Sequence, residues 1–244
     1  VKQMVVELDD QASESKKTPS PEKKRIDFSI MARDVYKDSD YSGLKDTDWR
    51  PLSSSQGVED KAIAKTIDAI NQFNKQGDDF YAQIYKNDLT GEYTLAFRGS
   101  EINGWKNRND WADNVLQGLS LQGPQYANAA ILGELLGSTK QKVNIVGHSL
   151  GGGLATVVGL KTGLPTYTYN QAYISQGTID KYKLDVSKTE NITAYYIEGE
   201  ILTTLQNKTR DYNTLIPLGK RIKIGSVITE ENAILTGVSD ITQV

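Results

Sequence analysis

The chain contains no cysteine and one histidine, His148, and each shortage narrows the chemistry open to it. Without cysteine there is no disulfide and no thiolate metal site, a composition compatible with export but no demonstration of it. No apolar run approaches the roughly 18 residues that span a bilayer, and the first residues lack the basic and apolar regions of a signal peptide. Charge of one sign is missing too: 28 Lys and Arg stand against 31 Asp and Glu, a formal net charge of −3. With no strong Lys/Arg block on an amphipathic stretch, there is no electrostatic case for nucleic acid. No internal repeat divides the sequence. What remains is 244 residues of even composition, enough for one α/β domain with a sizeable core.

Residues 7–24 (ELDDQASESKKTPSPEKK) are nearly free of large apolar side chains and have little to bury. A flexible polar segment over 1–25 and a folded domain over 26–244 are therefore expected. Phe28, Ile30, Met31, Val35 and Tyr36 recur at helical spacing, with Asp27 as the expected N-cap. Ile63, Ile67, Ile70 and Phe73 form a second helical stripe. Residues 80–85 and 93–97, joined by a turn through 87–91, read as a hairpin. A helix over 125–136 leads to a strand at 143–146, and 166–169 and 192–197 are further strands. This alternation predicts an α/β fold with a mostly parallel central sheet and helices on both faces.

The chain is organised around residues 143–155. A β-branched run ends in Gly147-His148-Ser149-Leu150-Gly151, and small and apolar residues suited to a helix follow. Strand, sharp turn and helix in that order place Ser149 at the tip, with its hydroxyl turned away from its own backbone. A serine hydroxyl is a poor nucleophile unless a base takes its proton, so it has to be presented where a base can reach it. Gly147 and Gly151 leave space around the turn, and the Leu150 N–H is aimed at a carbonyl oxygen under attack. A Gly-rich turn with an incidental serine fits the five residues alone; the strand before and the helix after favour the catalytic arrangement.

Further residues extend the pattern in order along the chain. They are Ala96-Phe97-Arg98-Gly99-Ser100, then Asp110-Trp111-Ala112-Asp113-Asn114, then Gln125-Tyr126-Ala127, and finally Gly147-His148-Ser149-Leu150-Gly151-Gly152. Together, over about residues 28–240, they resemble the class 3 lipase family of α/β-hydrolases, and more closely the compact bacterial lipase domains of secreted effectors and toxins. The resemblance implies that Ser100 donates to the oxyanion. It also makes the insert 101–109 a lid, with Ile102 and Trp105 as lid or acyl-contact residues. Trp105 suits packing of the loop base equally well, and Trp111 suits it better.

The catalytic acid is expected just after a strand downstream of the turn, where a carboxylate can orient an imidazole. Glu200 in Ile197-Glu198-Gly199-Glu200 aligns best with the family's acid, ahead of Glu198 and Asp211. The base is the obstacle, because the one histidine immediately precedes the nucleophile and reads as structural. The family places its base after a strand like Arg221-Ile222-Lys223-Ile224-Gly225, where this chain has Asn232. An amide is not basic at neutral pH, and loss of a triad member costs about four to six orders of magnitude in rate. Deliberate replacement of the histidine, a histidine beyond Val244, or a natural pseudoenzyme each fit; replacement fits best, because the other parts are kept together. Helix capping by Asn232 is the plain alternative.

The resemblance thus implies a serine-dependent carboxylic-ester hydrolase acting on lipid, a phospholipase A or glycerolipid lipase, without metal or organic cofactor. It implies a soluble bacterial protein that is secreted or delivered into a target cell, with lipid at a membrane surface as substrate and an immunity protein as a possible partner. A pseudolipase that binds lipid or protein without turnover is the alternative from another class. A peptidase or thioesterase on the same fold is disfavoured by the Phe-Arg-Gly-Ser segment.

Overall fold

The computed structural model describes residues 19–36, 43–45, 47–76, 80–99, 123–197 and 218–224, and the backbone of 215–216. In chain order the elements are α1 (Pro21–Asp34), β1 (Trp49–Leu52), α2 (Lys61–Phe73), β2 (Ala82–Asn87), β3 (Tyr93–Phe97), α3 (Pro124–Leu136) and β4 (Val143–His148). They continue with α4 (Leu150–Thr162), β5 (Thr166–Tyr169), β6 (Ile174–Ser175), α5 (Gln176–Tyr182), β7 (Ile192–Ile197), β8 (Leu215–Ile216) and β9 (Lys220–Ile224).

Among the described residues seven strands form one sheet, in the order β1-β2-β3-β4-β5-β7-β9. The first three are antiparallel neighbours, with Ile84 opposite Leu95, while β3, β4, β5, β7 and β9 run parallel. β6 and β8 form a separate antiparallel ribbon. Because β3 and β4 are central, every β3 side chain is buried, which is why Tyr93-Thr94-Leu95-Ala96-Phe97 reads as a run rather than an alternation. The parallel register sets Phe97 beside Gly147 and His148 beside Tyr169, so the carboxyl ends of β3, β4 and β5 meet at one edge of the sheet. Ligands of open α/β sheets bind outside such an edge.

The pleat sorts side chains to two sides. Ile84, Leu95, Phe97 and Ile145 face α2, α3 and α4, where Ile63, Ile67, Leu132, Leu154 and Val157 complete the larger core cluster. Tyr85, Ala96, Val146 and Tyr169 face the other way, towards Phe28, Met31, Ala32 and Val35. Helices thus cover both faces, and the sheet with its strand-turn-helix after β4 is the expected α/β-hydrolase architecture.

The N-terminal boundary needs correction. α1 starts at Pro21, with the Ser20 hydroxyl accepting the Lys23 N–H at 3.1 Å, and Asp27 is not its cap. Ser before Pro at the first helical position, with Glu22 in the first turn, is the stronger start signal. Residues 21–25 therefore belong to the folded helix and not to a polar lead-in. Asp27 is instead buried in the helix interior, where it accepts the Trp49 indole N–H at 3.2 Å and pairs with Lys23 at 3.1 Å.

Candidate active site

Ser149 joins β4 to α4 with φ 55° and ψ −125°, left-handed backbone that a residue with a side chain seldom occupies. Strain of this kind persists only where the surroundings hold it. Here the Ser149 N–H donates to the Tyr169 carbonyl at 3.0 Å. Its own carbonyl accepts the N–H groups of Gly152 at 2.9 Å and Ala172 at 2.8 Å. Glycine is required on both flanks: a Cβ on Gly147 would overlap the Gly151 carbonyl, and one on Gly151 would overlap the carbonyl of Phe97. Strand and helix therefore cross at backbone contact, and the serine is forced outward.

The Ser149 hydroxyl is buried, with the residue only 1 % exposed, and has no hydrogen-bond partner among the described residues. A buried hydroxyl left unpaired costs about 1–3 kcal/mol, so its retention points to chemistry rather than to packing. Leu150 opens α4, where the positive end of the helix dipole favours negative charge. Gly99 lies against the same spot: a Cβ there would stand 2.7 Å from the His148 carbonyl and 3.2 Å from the Ser149 Cβ. A group bonded to the Ser149 oxygen would thus lie near the N-terminus of α4 and Gly99.

His148 turns to the α1 side. Its Nδ1 is 3.1 Å from the Tyr36 hydroxyl, and the two rings meet edge to face. Burial, aided by the Arg33 guanidinium, pushes the imidazole down to about 4, so it is neutral at physiological pH. The ring is occupied by Tyr36 on the far side of the strand.

Two residues without a motif complete the setting. Asn170, also left-handed at φ 42°, donates its N–H to the Tyr195 carbonyl at 2.8 Å and accepts the Ile197 N–H on its side-chain oxygen at 2.9 Å. Gln171 accepts the Thr156 and Thr168 hydroxyls at 3.0 and 2.7 Å and donates to the Leu218 carbonyl at 2.7 Å. This buried network fixes Ala172 on the Ser149 carbonyl and the end of β7 beside the turn. Its one sequence signal is a polar pair, Asn-Gln, directly after the Thr-Tyr-Thr-Tyr strand.

The described residues bring together Ser149, Leu150 and Gly99, and Ile197 is bonded through Asn170 to the same region. Ser100, Ile102, Trp105, Trp111, Glu198, Glu200, Asp211 and Asn232 lie outside them. Among the described residues no group of three or more His, Cys, Asp or Glu is arranged to hold a metal, and no helix is long and apolar enough to cross a membrane.

Comparison with known proteins places this geometry. An extracellular phospholipase A1 from Serratia liquefaciens is 34% identical over an alignment of 222 positions that covers 87% of this chain and 62% of the relative. The chain thus spans less than two thirds of that protein. A lipase from Rhizomucor miehei, solved as a propeptide complex, superposes with a TM-score of 0.49 at 17% identity, over 86% of this chain and 69% of the lipase. The model of the Tle-like phospholipase domain matches residues 28–240, from α1 through the sheet and the strained serine. The chain belongs to that phospholipase-like family.

Proposed function

We propose that this chain is a serine-dependent carboxylic-ester hydrolase acting on lipid, a phospholipase A or glycerolipid lipase. The observation that carries the reading is Ser149, a strained, buried residue whose hydroxyl has no partner among the described residues, at the carboxyl edge of the parallel strands and at the N-terminus of a 13-residue helix. In the form that carries a histidine at position 232, that imidazole takes the Ser149 proton as the serine oxygen attacks the ester carbonyl, the Leu150 N–H and Ser100 hold the oxyanion, and the proton passes to the oxygen of the departing alcohol as the carbon–oxygen bond breaks. Water then releases the fatty acid from the acyl-enzyme. Ile102 and Trp105 contact the acyl chain or the lid. Glu200 orients the base, whose position is Asn232 in this chain. The relative described as an extracellular phospholipase A1 supports the substrate class and a secreted setting. Delivery into a competing bacterial cell, with an immunity protein as partner, is the biological role that fits.

One observation favours a second reading, a pseudolipase that binds lipid or protein without turnover: the single histidine is held by Tyr36, and the sequence has no second histidine to serve as base. Hydrolysis of phospholipid vesicles by the unaltered chain, Asn232→His, and Asn232→His with Ser149→Ala separates the two. The hydrolase reading expects activity to rise by at least about a thousandfold with the histidine and to vanish with the serine. No hydrolysis in any form, of vesicles or of a simple acyl ester, would leave the binding reading.

A further inference from the structure

We propose that the Arg221 guanidinium, stacked on Tyr196 beside the nucleophile turn, receives the phosphate of the lipid head group and makes the site select phospholipid over neutral glycerolipid. This rests on the hydrolase reading above. Arg221 belongs to β9, where Lys220, Arg221 and Lys223 are all exposed and no acid interrupts them, in a chain whose net charge is −3. The register brings β9 to the level of the nucleophile: His148 stands beside Tyr169, Tyr169 beside Tyr195, and Tyr195 beside Ile222. Ile222 and Ile224 pack on the α1 side, so the alternation of the strand turns Arg221 and Lys223 to the side of α4, the helix that Ser149 opens. The Arg221 Cζ lies 4.1 Å from the centre of the Tyr196 ring and 5.9 Å from that of Tyr173. Ala194 is the residue opposite Arg221 and Tyr196 is two positions further along β7, so this diagonal stack leans the guanidinium towards the carboxyl edge. Tyr173 follows Ala172, whose N–H bonds the Ser149 carbonyl, and Gln171 ties the same loop to the start of β9 through the Leu218 carbonyl at 2.7 Å.

Exposed lysines on an edge strand discourage pairing with another chain, and Lys220 and Lys223 need no other account. Arg221 is different. Among the described residues no carboxylate or carbonyl is bonded to its guanidinium, yet two tyrosine rings hold the side chain in place. Stacking on a ring face fixes a long side chain while leaving its N–H edge open, and that planar fork matches two oxygens of a phosphate. Of the two substrate classes in the hydrolase reading, only phospholipid carries such an anion. β9 is three strand spacings from β4, about 14 Å. The arginine side chain and the glycerol backbone between ester and phosphate close that span from its two ends.

The test is calorimetry on the full chain carrying Ser149→Ala, which cannot turn lipid over. It compares monomeric dihexanoylphosphatidylcholine with dihexanoylglycerol, the same acyl chains without the phosphate. Adding Arg221→Gln should raise the Kd of the phospholipid about ten- to a hundredfold and leave that of dihexanoylglycerol within about twofold. Arg221→Lys, which restores the charge without the fork or the stack, should recover only part of the loss. Inorganic phosphate should bind at least about tenfold more weakly than the phospholipid, because it makes no acyl contact. An unchanged phospholipid Kd, an equal loss for both lipids, or no phospholipid binding at all overturns the proposal. Full recovery by lysine overturns it too, since charge alone would then attract the ligand, and so does inorganic phosphate binding as tightly as the lipid. Both variants alter an exposed side chain and should keep the helix content of the parent, which circular dichroism checks. Hydrolysis by Asn232→His judges the hydrolase reading separately: no turnover beside an Arg221-dependent phospholipid Kd ends that reading and keeps the phosphate site.

Discussion

The two sides of the sheet are held by different forces. Under α2, α3 and α4 the contacts are apolar, with Ile63, Ile67, Leu95, Phe97, Ile145 and Leu154 in one continuous core. Under α1 the apolar cluster is smaller and a row of polar bonds runs beside it. The Trp49 indole donates to Asp27 at 3.2 Å, the Tyr85 hydroxyl to Asp34 at 2.6 Å, and the Tyr169 hydroxyl to the Arg25 carbonyl at 3.0 Å. Tyr36 then meets His148 and Gly99. Apolar burial is non-directional and sets how strongly layers adhere, whereas hydrogen bonds set where they sit. The difference teaches that one side supplies most of the stability and the other the register of the site.

The largest effect should therefore come from the apolar side. Leu154→Ala removes a side chain that is 1 % exposed between α4 and the sheet, and should lower unfolding free energy by about 3–4 kcal/mol. Tyr85→Phe, which removes only the hydroxyl on Asp34, should cost about 1–2 kcal/mol. Urea titration of both variants is the direct comparison. Equal losses would break the division of labour, because the polar bonds would then be carrying stability as well as register.

The second effect separates the sides by pH. Folding lowers the His148 imidazole from 6.5 to about 4, so between those values the unfolded chain binds the extra proton. The stabilisation is fully present above pH 6.5, falls as pH drops towards 4, and is gone below. The shift corresponds to about 3 kcal/mol if the ring is wholly enclosed; the residue keeps some solvent contact, so about 2 kcal/mol is expected. His148→Gln should flatten this part of the acid limb while Leu154→Ala leaves its slope alone. An identical slope in His148→Gln and the unaltered chain would mean that the α1 side carries no such sensitivity.

The sides also differed in how far they could be read beforehand. Strands at 93–97, 166–169 and 192–197, the helix stripe of Ile63, Ile67, Ile70 and Phe73 and the turn at Ser149 follow from local periodicity and from glycines at fixed offsets, and the structure has them all. The α1 side was less legible. Its place before Phe28 makes Asp27 read as a cap, whereas it accepts the indole N–H of Trp49, 22 positions away. Spacing makes Tyr36 one more apolar position of a helix, although its hydroxyl reaches Gly99 across 63 positions. Asn170 and Gln171 leave no periodic trace. Bonds between distant residues have no spacing rule, so a side built on them stays unread until the chain is folded.

The smallest effects sharpen the comparison within the polar side. Asp27 is a buried carboxylate with two partners of different kind, an enclosed indole N–H and the half-exposed ammonium of Lys23. Trp49→Phe leaves that charge without its enclosed donor and should cost about 1–3 kcal/mol, including some lost packing on Phe28. Lys23→Met removes an ion pair on a side chain 49% exposed, where screening and side-chain entropy consume most of the attraction, and should cost under about 1 kcal/mol. Raising salt to about 1 M should shrink the Lys23→Met loss further and leave that of Trp49→Phe in place. If the order were reversed, Asp27 would be held by charge and not by geometry. The row of bonds under α1 would then be an electrostatic attachment, tolerant of small displacements, and would not set register.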